Sequence, residues 1–173
     1  MALALGHMHK KNIVYRDLKL ENILMETDGY LRLTDYGTAT LVEGDELKNT
    51  FCGTPEYLAP EMLCGLGHSY PVDWWTLGIL TYELIVGFPP FYTGSSNNSK
   101  MFYLIKTKAV MFPDPERHKI VMSAECQDFI SRILVKDPTQ RLGTHGDIEE
   151  ILAHPWFNSL NIQKILAKEI EVP

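Results

Sequence analysis

The chain has 173 residues, 45% of them hydrophobic, which is enough apolar material for one compact domain with its own core. Its formal charge of −6 leaves no cationic surplus for a nucleic-acid backbone or an anionic membrane, so a nucleic-acid-binding function is disfavoured. Three cysteines without Cys-x-x-Cys spacing are typical of free thiols in a cytosolic or nuclear protein. No apolar run approaches the roughly 20 residues of a membrane span. We therefore expect a soluble, cytoplasmic or nuclear protein.

The spacing of apolar residues predicts a mainly α-helical fold with one β-hairpin. Residues 2–9 are spaced as a helix that no N-cap residue introduces, so this helix is expected to begin part-way along. Its two histidines, His7 and His9, are expected to be solvated, with a metal site as a remote alternative. A short β-prone run covers 13–15. Apolar runs at 23–25 and 30–33 flank Thr27-Asp28-Gly29, which predicts a hairpin.

The second half of the chain is predicted to be a helical bundle. Residues 37–60 lack sustained periodicity, which favours a long functional loop. Residues 72–86 are apolar nearly all round, as expected for a helix at the centre of a bundle. Further helices are predicted at 100–107, 124–134 with Ser123 as N-cap, 148–152 and 162–170. We find no internal repeat and expect a single domain over 1–173.

A set of polar residues around the hairpin carries the chemistry. Asp17, Lys19 and Asn22 share one predicted loop, and Asp35 follows thirteen positions after Asn22. Taken singly, Asp17 could cap a turn and Asp35 could end a strand. Together they are the parts that phosphoryl transfer requires, because the protein must position the nucleophile, hold Mg²⁺ and neutralise charge on the transferred group.

Two segments resemble the protein-kinase family. Residues 15–22, Tyr-Arg-Asp-Leu-Lys-Leu-Glu-Asn, and 35–37, Asp-Tyr-Gly, are similar to the catalytic loop and the Asp-Phe-Gly segment of kinases. Residues 50–61, Thr-Phe-Cys-Gly-Thr-Pro-Glu-Tyr-Leu-Ala-Pro-Glu, resemble the activation segment of serine/threonine kinases of the AGC group. The resemblance implies the C-terminal lobe of the kinase fold, mainly α-helical with a hairpin beside the catalytic loop. It also implies that this lobe starts within the helix before the catalytic loop, without the N-lobe and C-terminal tail.

The resemblance also implies catalytic and cofactor-binding roles. Asp17 would accept the proton of the substrate hydroxyl, with Thr54 hydrogen bonded toward Asp17 and Lys19. Lys19, Glu21, Asn22 and Asp35 would border the ATP site, with Lys19 at the γ-phosphate and with Asn22 and Asp35 as Mg²⁺ ligands. Tyr36 replaces the usual Phe and adds a hydroxyl that needs a partner.

Regulation, substrate binding and structure are implied for a further group of residues. Phosphorylated Thr50 would be gripped by Arg16, whereas Thr40 replaces a Lys that helps bind this phosphate in many relatives; the alternative for Thr50 is an ordinary exposed loop residue. For substrate binding, the resemblance implies an apolar pocket of Phe51, Pro55 and Leu58, and contacts of Glu21 and Glu83 with basic substrate residues. For structure, it implies a Glu61–Arg141 ion pair and hydrogen bonds from catalytic-loop amides to Asp73. The alternatives are a solvated or core-paired Glu83, and an ordinary N-cap for Asp73.

The sequence therefore predicts an ATP- and Mg²⁺-dependent serine/threonine kinase for substrates with Arg or Lys upstream of the phosphoacceptor. An upstream kinase acting on Thr50 is an expected partner. No Gly-x-Gly-x-x-Gly phosphate loop occurs in the 173 residues, so we expect the chain alone to be nearly inactive. The alternative function is an inactive lobe that binds peptides or proteins, and a third explanation is an incomplete gene product.

Overall fold

The computed structural model describes residues 1–42, 44, 47–48, 50, 52–94 and 97–172, and helices dominate them, as predicted. The helices are α1 (Ala2–His9), α2 (Pro60–Cys64), α3 (Pro71–Val86), α4 (Asn98–Thr107), α5 (Pro115–His118), α6 (Ala124–Ile133), α7 (Asp147–Leu152) and α8 (Ile162–Leu166). The strands are β1 (Ile13–Val14), β2 (Ile23–Met25), β3 (Leu31–Leu33) and β4 (Thr40–Leu41). Across these residues, no helix combines the length and hydrophobicity that a membrane span needs.

Helix α3 lies at the centre of the bundle, as its apolar sequence predicts. Pro71 suits the first turn because its missing N–H is not needed there, and Gly87 ends the helix with a φ of +95°. Twelve of its sixteen residues are buried. Gly78 lets α6 approach closely, since a Cβ at this position would lie 2.5 Å from Ile133. Helix α3 therefore has a fixed position in the core, from which its side chains can reach the catalytic loop.

The predicted hairpin is confirmed beside that loop. Strands β2 and β3 pair antiparallel with Leu24 opposite Arg32. The turn closes where the N–H of Glu26 donates to Tyr30 O at 2.8 Å and Gly29 adopts a φ of +80°, which favours glycine. Strand β1 pairs with β4 instead, with Val14 opposite Thr40. This second pairing joins the residues before the catalytic loop to those after Asp-Tyr-Gly.

The segment 37–60 is largely irregular, as expected, but it holds β4 and a 3₁₀ helix at Pro55–Tyr57. Residues 43, 45, 46, 49 and 51 of this segment lie outside the described residues. The described part is anchored by an antiparallel bridge in which Lys48 and His68 exchange two backbone hydrogen bonds of 2.9 Å each.

The last helix is shorter than the predicted 162–170. Helix α8 ends at Leu166, and Lys168 turns left-handed with a φ of +58°. The N–H groups of Lys168 and Glu169 return to Ile165 O and Lys164 O, which is the Schellman arrangement. Lys168 then reaches Glu26 at 3.0 Å and Asp28 at 2.7 Å. Tertiary contacts with the hairpin thus override the helical periodicity after Leu166.

Candidate active site

The catalytic loop, residues 15–22, is bound through its backbone by Asp73 of α3. The Asp73 carboxylate is fully buried and accepts the backbone N–H of Tyr15 at 2.8 Å and of Arg16 at 2.7 Å. These are the contacts that the resemblance implied. The N-cap alternative is wrong, because Tyr70 is the N-cap of α3 and Asp73 lies in its first turn. The central helix therefore sets the position of the loop that carries Asp17.

Asp17, Lys19 and Thr54 form one hydrogen-bonded cluster. Lys19 Nζ lies 3.0 Å from Asp17 Oδ2 and donates to Thr54 Oγ1 at 2.9 Å. Thr54 Oγ1 in turn donates to Asp17 Oδ1 at 3.2 Å. Gly53 permits this close approach with a φ of +106°, since a Cβ there would lie 3.1 Å from Arg16 O. A carboxylate, an ammonium group and a hydroxyl thus meet at one point, as predicted.

Asn22 and Asp35 lie on adjacent segments, so their oxygen atoms suit a magnesium ion. The buried Asn22 amide donates to Asp17 O at 2.9 Å and Asp17 Oδ2 at 3.1 Å, which leaves its oxygen as the atom for a metal. The N–H of Thr34, the residue before Asp35, donates to Asn22 O at 2.9 Å. Asp35 is exposed and adopts a φ of +55°, uncommon outside glycine and frequent at functional sites. Two protein oxygens are a usual number for Mg²⁺, which keeps water and phosphate ligands.

Two tyrosines, Tyr15 and Tyr36, hold the segment that carries Asp35. Burial, and then the charges of Asp17 and Asp35, raise the pKa of Tyr15 to about 12, so its hydroxyl stays protonated and donates to Thr34 O at 2.5 Å. The extra hydroxyl of Tyr36 donates to Leu33 O at 2.9 Å, which supplies the partner that the Phe-to-Tyr difference requires. The two rings meet edge to face at 5.9 Å.

Thr50 is exposed, whereas Arg16, a residue of the catalytic loop, is buried and has a φ of +71°. Arg16 Nε donates to Thr38 O at 2.8 Å, and its backbone N–H is bound to Asp73. Thr40, at the position where many kinases have a Lys, sits in strand β4. The phosphosite assignment stays a prediction.

An open pocket of about 340 Å³ borders the catalytic cluster and has an acidic lining. Glu21, Glu56 and Glu83 line it, and the described lining residues include no Lys or Arg. Glu83 accepts a hydrogen bond from Tyr57. Burial, and then this bond to Glu83, raise the pKa of Tyr57, so the tyrosine is the donor in this hydrogen bond. Glu83 therefore has a partner within the protein, and its carboxylate also lines the pocket; its contact with basic substrate residues stays a prediction.

The three residues assigned to an apolar substrate pocket differ in their positions. Pro55 is half-buried, at the start of the 3₁₀ helix. Leu58 is 2% exposed and belongs to the core, so in this conformation it supports the surface rather than forming it. Phe51 lies outside the described residues. The apolar pocket therefore stays a prediction.

The predicted ion pair between Glu61 and Arg141 is present and buried. Arg141 donates from both terminal nitrogens to the two Glu61 oxygens, at 2.6 and 2.8 Å. It also donates to Val135 O at 3.0 Å and Pro71 O at 2.9 Å. This pair ties the end of the 50–61 segment to the loop between α6 and α7.

Sequence reasoning missed two residues near the site. His9 is 5% exposed, so the solvated interpretation is wrong for His9 and holds only for the exposed His7. Among the described residues no group of three or more His, Cys, Asp or Glu side chains is placed to hold a metal ion. Glu56 was also missed, although its place between Pro55 and Tyr57 in the 50–61 segment could have suggested it.

Comparison with known proteins agrees with this geometry. The sequence profile of the protein kinase domain matches residues 1–157. The chain belongs to the protein kinase family. Its relatives include Protein kinase 2 of Dictyostelium discoideum, 44% identical over 98% of the chain. The serine/threonine-protein kinases YPK1 of Saccharomyces cerevisiae and sgk-1 of Caenorhabditis elegans are 44% and 42% identical over 95% and 100% of it.

YPK1 and sgk-1 are AGC-type serine/threonine kinases, which confirms the resemblance seen in residues 15–22, 35–37 and 50–61. The chain spans only 33%, 23% and 36% of the lengths of the three relatives.

Proposed function

We propose that the protein carrying this chain is a serine/threonine kinase that transfers the γ-phosphate of ATP to side chains preceded by Arg or Lys. The observation that carries the proposal is the contact of Asp17, Lys19 and Thr54, within 3.2 Å of one another, next to the acidic pocket. A carboxylate so placed can take a hydroxyl proton, and a neighbouring ammonium can balance phosphate charge.

In the proposed reaction the acceptor hydroxyl oxygen forms a bond to the γ-phosphorus as the bond to the β-phosphate oxygen breaks. The hydroxyl proton passes to Asp17, whose orientation is fixed by Thr54 and by the Asn22 amide. Lys19, freed from Asp17 by the incoming substrate, would neutralise the transferred group. Bound Mg²⁺ and ATP supply the charge neutralisation and the phosphoryl group. Asn22 and Asp35 would hold the metal.

The preference for basic substrates rests on the pocket lined by Glu21, Glu56 and Glu83. Carboxylates without a cation of their own attract guanidinium and ammonium groups. We predict that Glu83→Gln lowers kcat/KM for an Arg-containing peptide by roughly tenfold. A peptide with norleucine in place of Arg should lose this sensitivity. Glu116→Gln removes the same charge from an exposed site and is the control; equal effects of both variants would contradict the assignment.

We also propose that phosphorylation of Thr50 by an upstream kinase raises activity. Thr50 is exposed to a modifying enzyme, and the Arg16 guanidinium, bound only through Nε to a carbonyl among the described contacts, could pair with a phosphate. The Thr at position 40 removes one cation from this site, so the activation is expected to be weaker than in kinases with Lys there.

The deciding experiment is phosphate transfer from labelled Mg-ATP to an Arg-rich Ser/Thr peptide. The 173-residue chain and the longer protein that carries it are compared, each with Asp17→Asn. Transfer by the longer protein should fall by about 10²–10⁴-fold in the variant, as expected when a general base is lost. If no form transfers phosphate but the peptide still binds, the lobe is a peptide-binding module rather than an enzyme.

A further inference from the structure

His9, the last residue of α1, is buried between two acidic side chains from distant parts of the chain. Its Nε2 lies 2.9 Å from Asp73 Oδ2 on α3, and its Nδ1 lies 2.7 Å from Asp147 Oδ1 on α7. The ring packs against Tyr70 at 4.9 Å and meets Trp74 edge to face at 5.0 Å. The side chain is therefore held on all sides and cannot exchange its partners for water.

This arrangement fixes the protonation state of the imidazole. An ionised carboxylate can only accept hydrogen bonds, so both ring nitrogens must carry a hydrogen, which is the case only in the imidazolium ion. Asp73 also accepts two backbone N–H groups, and Asp147 accepts the N–H of Trp74 Nε1 at 3.1 Å, so both carboxylates act as acceptors in this cluster. Burial alone would lower the pKa of His9, but the two aspartates outweigh it and raise this pKa to about 9.

The remaining titratable groups around His9 do not compete for its charge. On α7, Glu149 is paired with Lys10 at 2.7 Å. Burial raises the pKa of Tyr70, so this phenol is neutral beside the ring. In the catalytic loop, Arg16 directs its guanidinium to Thr38 O. Asp73 and Asp147 are thus the charges that face the imidazole.

The His9–Asp73 contact reaches the catalytic loop through one carboxylate. Asp73 Oδ2 is shared by His9 Nε2 and the N–H of Tyr15, and Oδ1 accepts the N–H of Arg16. The next residue is Asp17. A change in the direction of the Asp73 carboxylate would therefore move the backbone that carries the proposed catalytic base.

We propose that His9 is a positioning residue which must be protonated: as an imidazolium it joins Asp147 to Asp73 and so fixes the amides that place Asp17. The kinetic part of this proposal rests on the proposed kinase activity. Helices α1, α3 and α7 are then coupled to the active site by one positive charge. Loss of that proton would leave a ring nitrogen facing a carboxylate. The Asp147–His9–Asp73 arrangement, the His9 clamp, would therefore open at alkaline pH.

Two isosteric variants separate the halves of the clamp. Gln at position 9 can set its amide nitrogen where His9 Nε2 lies and keep the bond to Asp73, whereas Asn can replace only Nδ1 and keep the bond to Asp147. We expect His9→Asn to lower kcat by about tenfold, because small displacements of a catalytic group are costly, with little change in the peptide KM. His9→Gln should lose less, and His7→Gln, at an exposed site, should lose nothing.

The pH dependence distinguishes positioning from simple structural support. Asp147→Asn removes one of the two charges that favour the imidazolium, so the alkaline limb of the kcat profile should move to lower pH. In NMR spectra the ring carbon of His9 should titrate near pH 9 in the wild type and lower in Asp147→Asn, with the Tyr15 and Arg16 amide shifts following the same curve. A variant that only weakened the fold would lower the unfolding midpoint and leave the limb in place.

Each result decides part of the proposal. Titration of His9 near its ordinary pKa would overturn the imidazolium assignment. If His9 titrates near pH 9 but the Tyr15 and Arg16 amide shifts do not change with it, the coupling to the loop is overturned. Equal kinetics of His9→Asn and His9→Gln would overturn the positioning role. If the wild type shows no phosphate transfer, the proposed function fails, but the NMR titration of ring and amides still tests the clamp independently.

Discussion

The Glu61–Arg141 pair is the residue-scale feature with the largest expected effect on stability. Both side chains are almost without exposed surface, at 3% and 1%, so removal of either leaves an uncompensated charge in the core. We predict that Glu61→Gln destabilises the protein by about 3–5 kcal/mol, the range for breaking a buried ion pair. Urea denaturation at pH 7 measures the change in the free energy of unfolding.

The exposed pair Lys10–Glu149 is the matched control. Its N–O distance of 2.7 Å is as short, but its side chains are 61% and 67% exposed. Glu149→Gln should therefore leave the free energy of unfolding almost unchanged. Similar losses in Glu61→Gln and Glu149→Gln would show that burial does not set the energy of this contact.

At the same scale, the residues predictable from sequence are those that belong to a local motif. Asp17, Lys19 and Thr54 stand in segments that resemble kinase motifs, and that resemblance implied the contacts observed among them. His9 was missed because its partners lie 64 and 138 positions away, and one histidine at a helix end is usually solvated. Only packing of α1 against α3 and α7 reveals its burial.

At the scale of elements, the contact between α3 and α6 depends on Gly78. A Cβ there would lie 2.5 Å from Ile133 Cγ2 and 2.8 Å from Leu134 Cδ2. Alanine favours a helix over glycine by about 1 kcal/mol, but overpacking costs about 1–3 kcal/mol. We predict that Gly78→Ala destabilises the protein on balance, as measured by urea denaturation.

A second variant tests whether the clash is the cause. Leu134→Ala alone opens a cavity and should destabilise the protein. In the double variant with Gly78→Ala, the total loss of stability should be smaller than the sum of the two single losses, because the shorter side chain at position 134 leaves room for the new methyl group. Strict additivity would mean that α6 does not resist the new methyl group.

The predicted helices that were confirmed include α3 and α6, which have strongly apolar faces, and the short α7 (Asp147–Leu152), predicted at 148–152; Ser123, the N-cap of α6, accepts the N–H of Cys126 at 3.1 Å. Helix α2 was missed because it is five residues long and begins at the last residue of the segment 37–60, which lacks periodicity. The predicted end of α8 was wrong because Lys168 binds Glu26 and Asp28, which lie 142 and 140 positions away in the sequence. Whether a short element forms, and at which residue an element ends, depends on tertiary contacts that the spacing of apolar residues does not reveal.

For the whole molecule, two buried cations give stability opposite dependences on pH. The pKa of His9 is raised from 6.5 to about 9, so its contribution is complete below 6.5 and is lost as pH rises through 9. Among the described residues, Lys136 Nζ has no hydrogen-bond partner; it is buried over the faces of Trp75 and Phe91. Burial, and then the Arg141 charge, lower its pKa from 10.5 to about 7. The unfolded chain therefore binds more protons than the folded one between pH 7 and 10.5, and stability rises over this window.

Between pH 7 and 9 the two effects oppose each other, so the wild type should change in stability by less than about 1 kcal/mol, although each group alone can contribute up to about 1.4 kcal/mol per pH unit. With His9→Gln only the Lys136 term remains and stability should rise with pH; with Lys136→Met only the His9 term remains and stability should fall. The double variant measures all other titrating groups and is subtracted from each curve. Urea denaturation at pH 7, 8 and 9 gives the four curves. Parallel curves for the two single variants would mean that neither cation titrates as its surroundings require, and the opening of the His9 clamp at alkaline pH would then lose its basis.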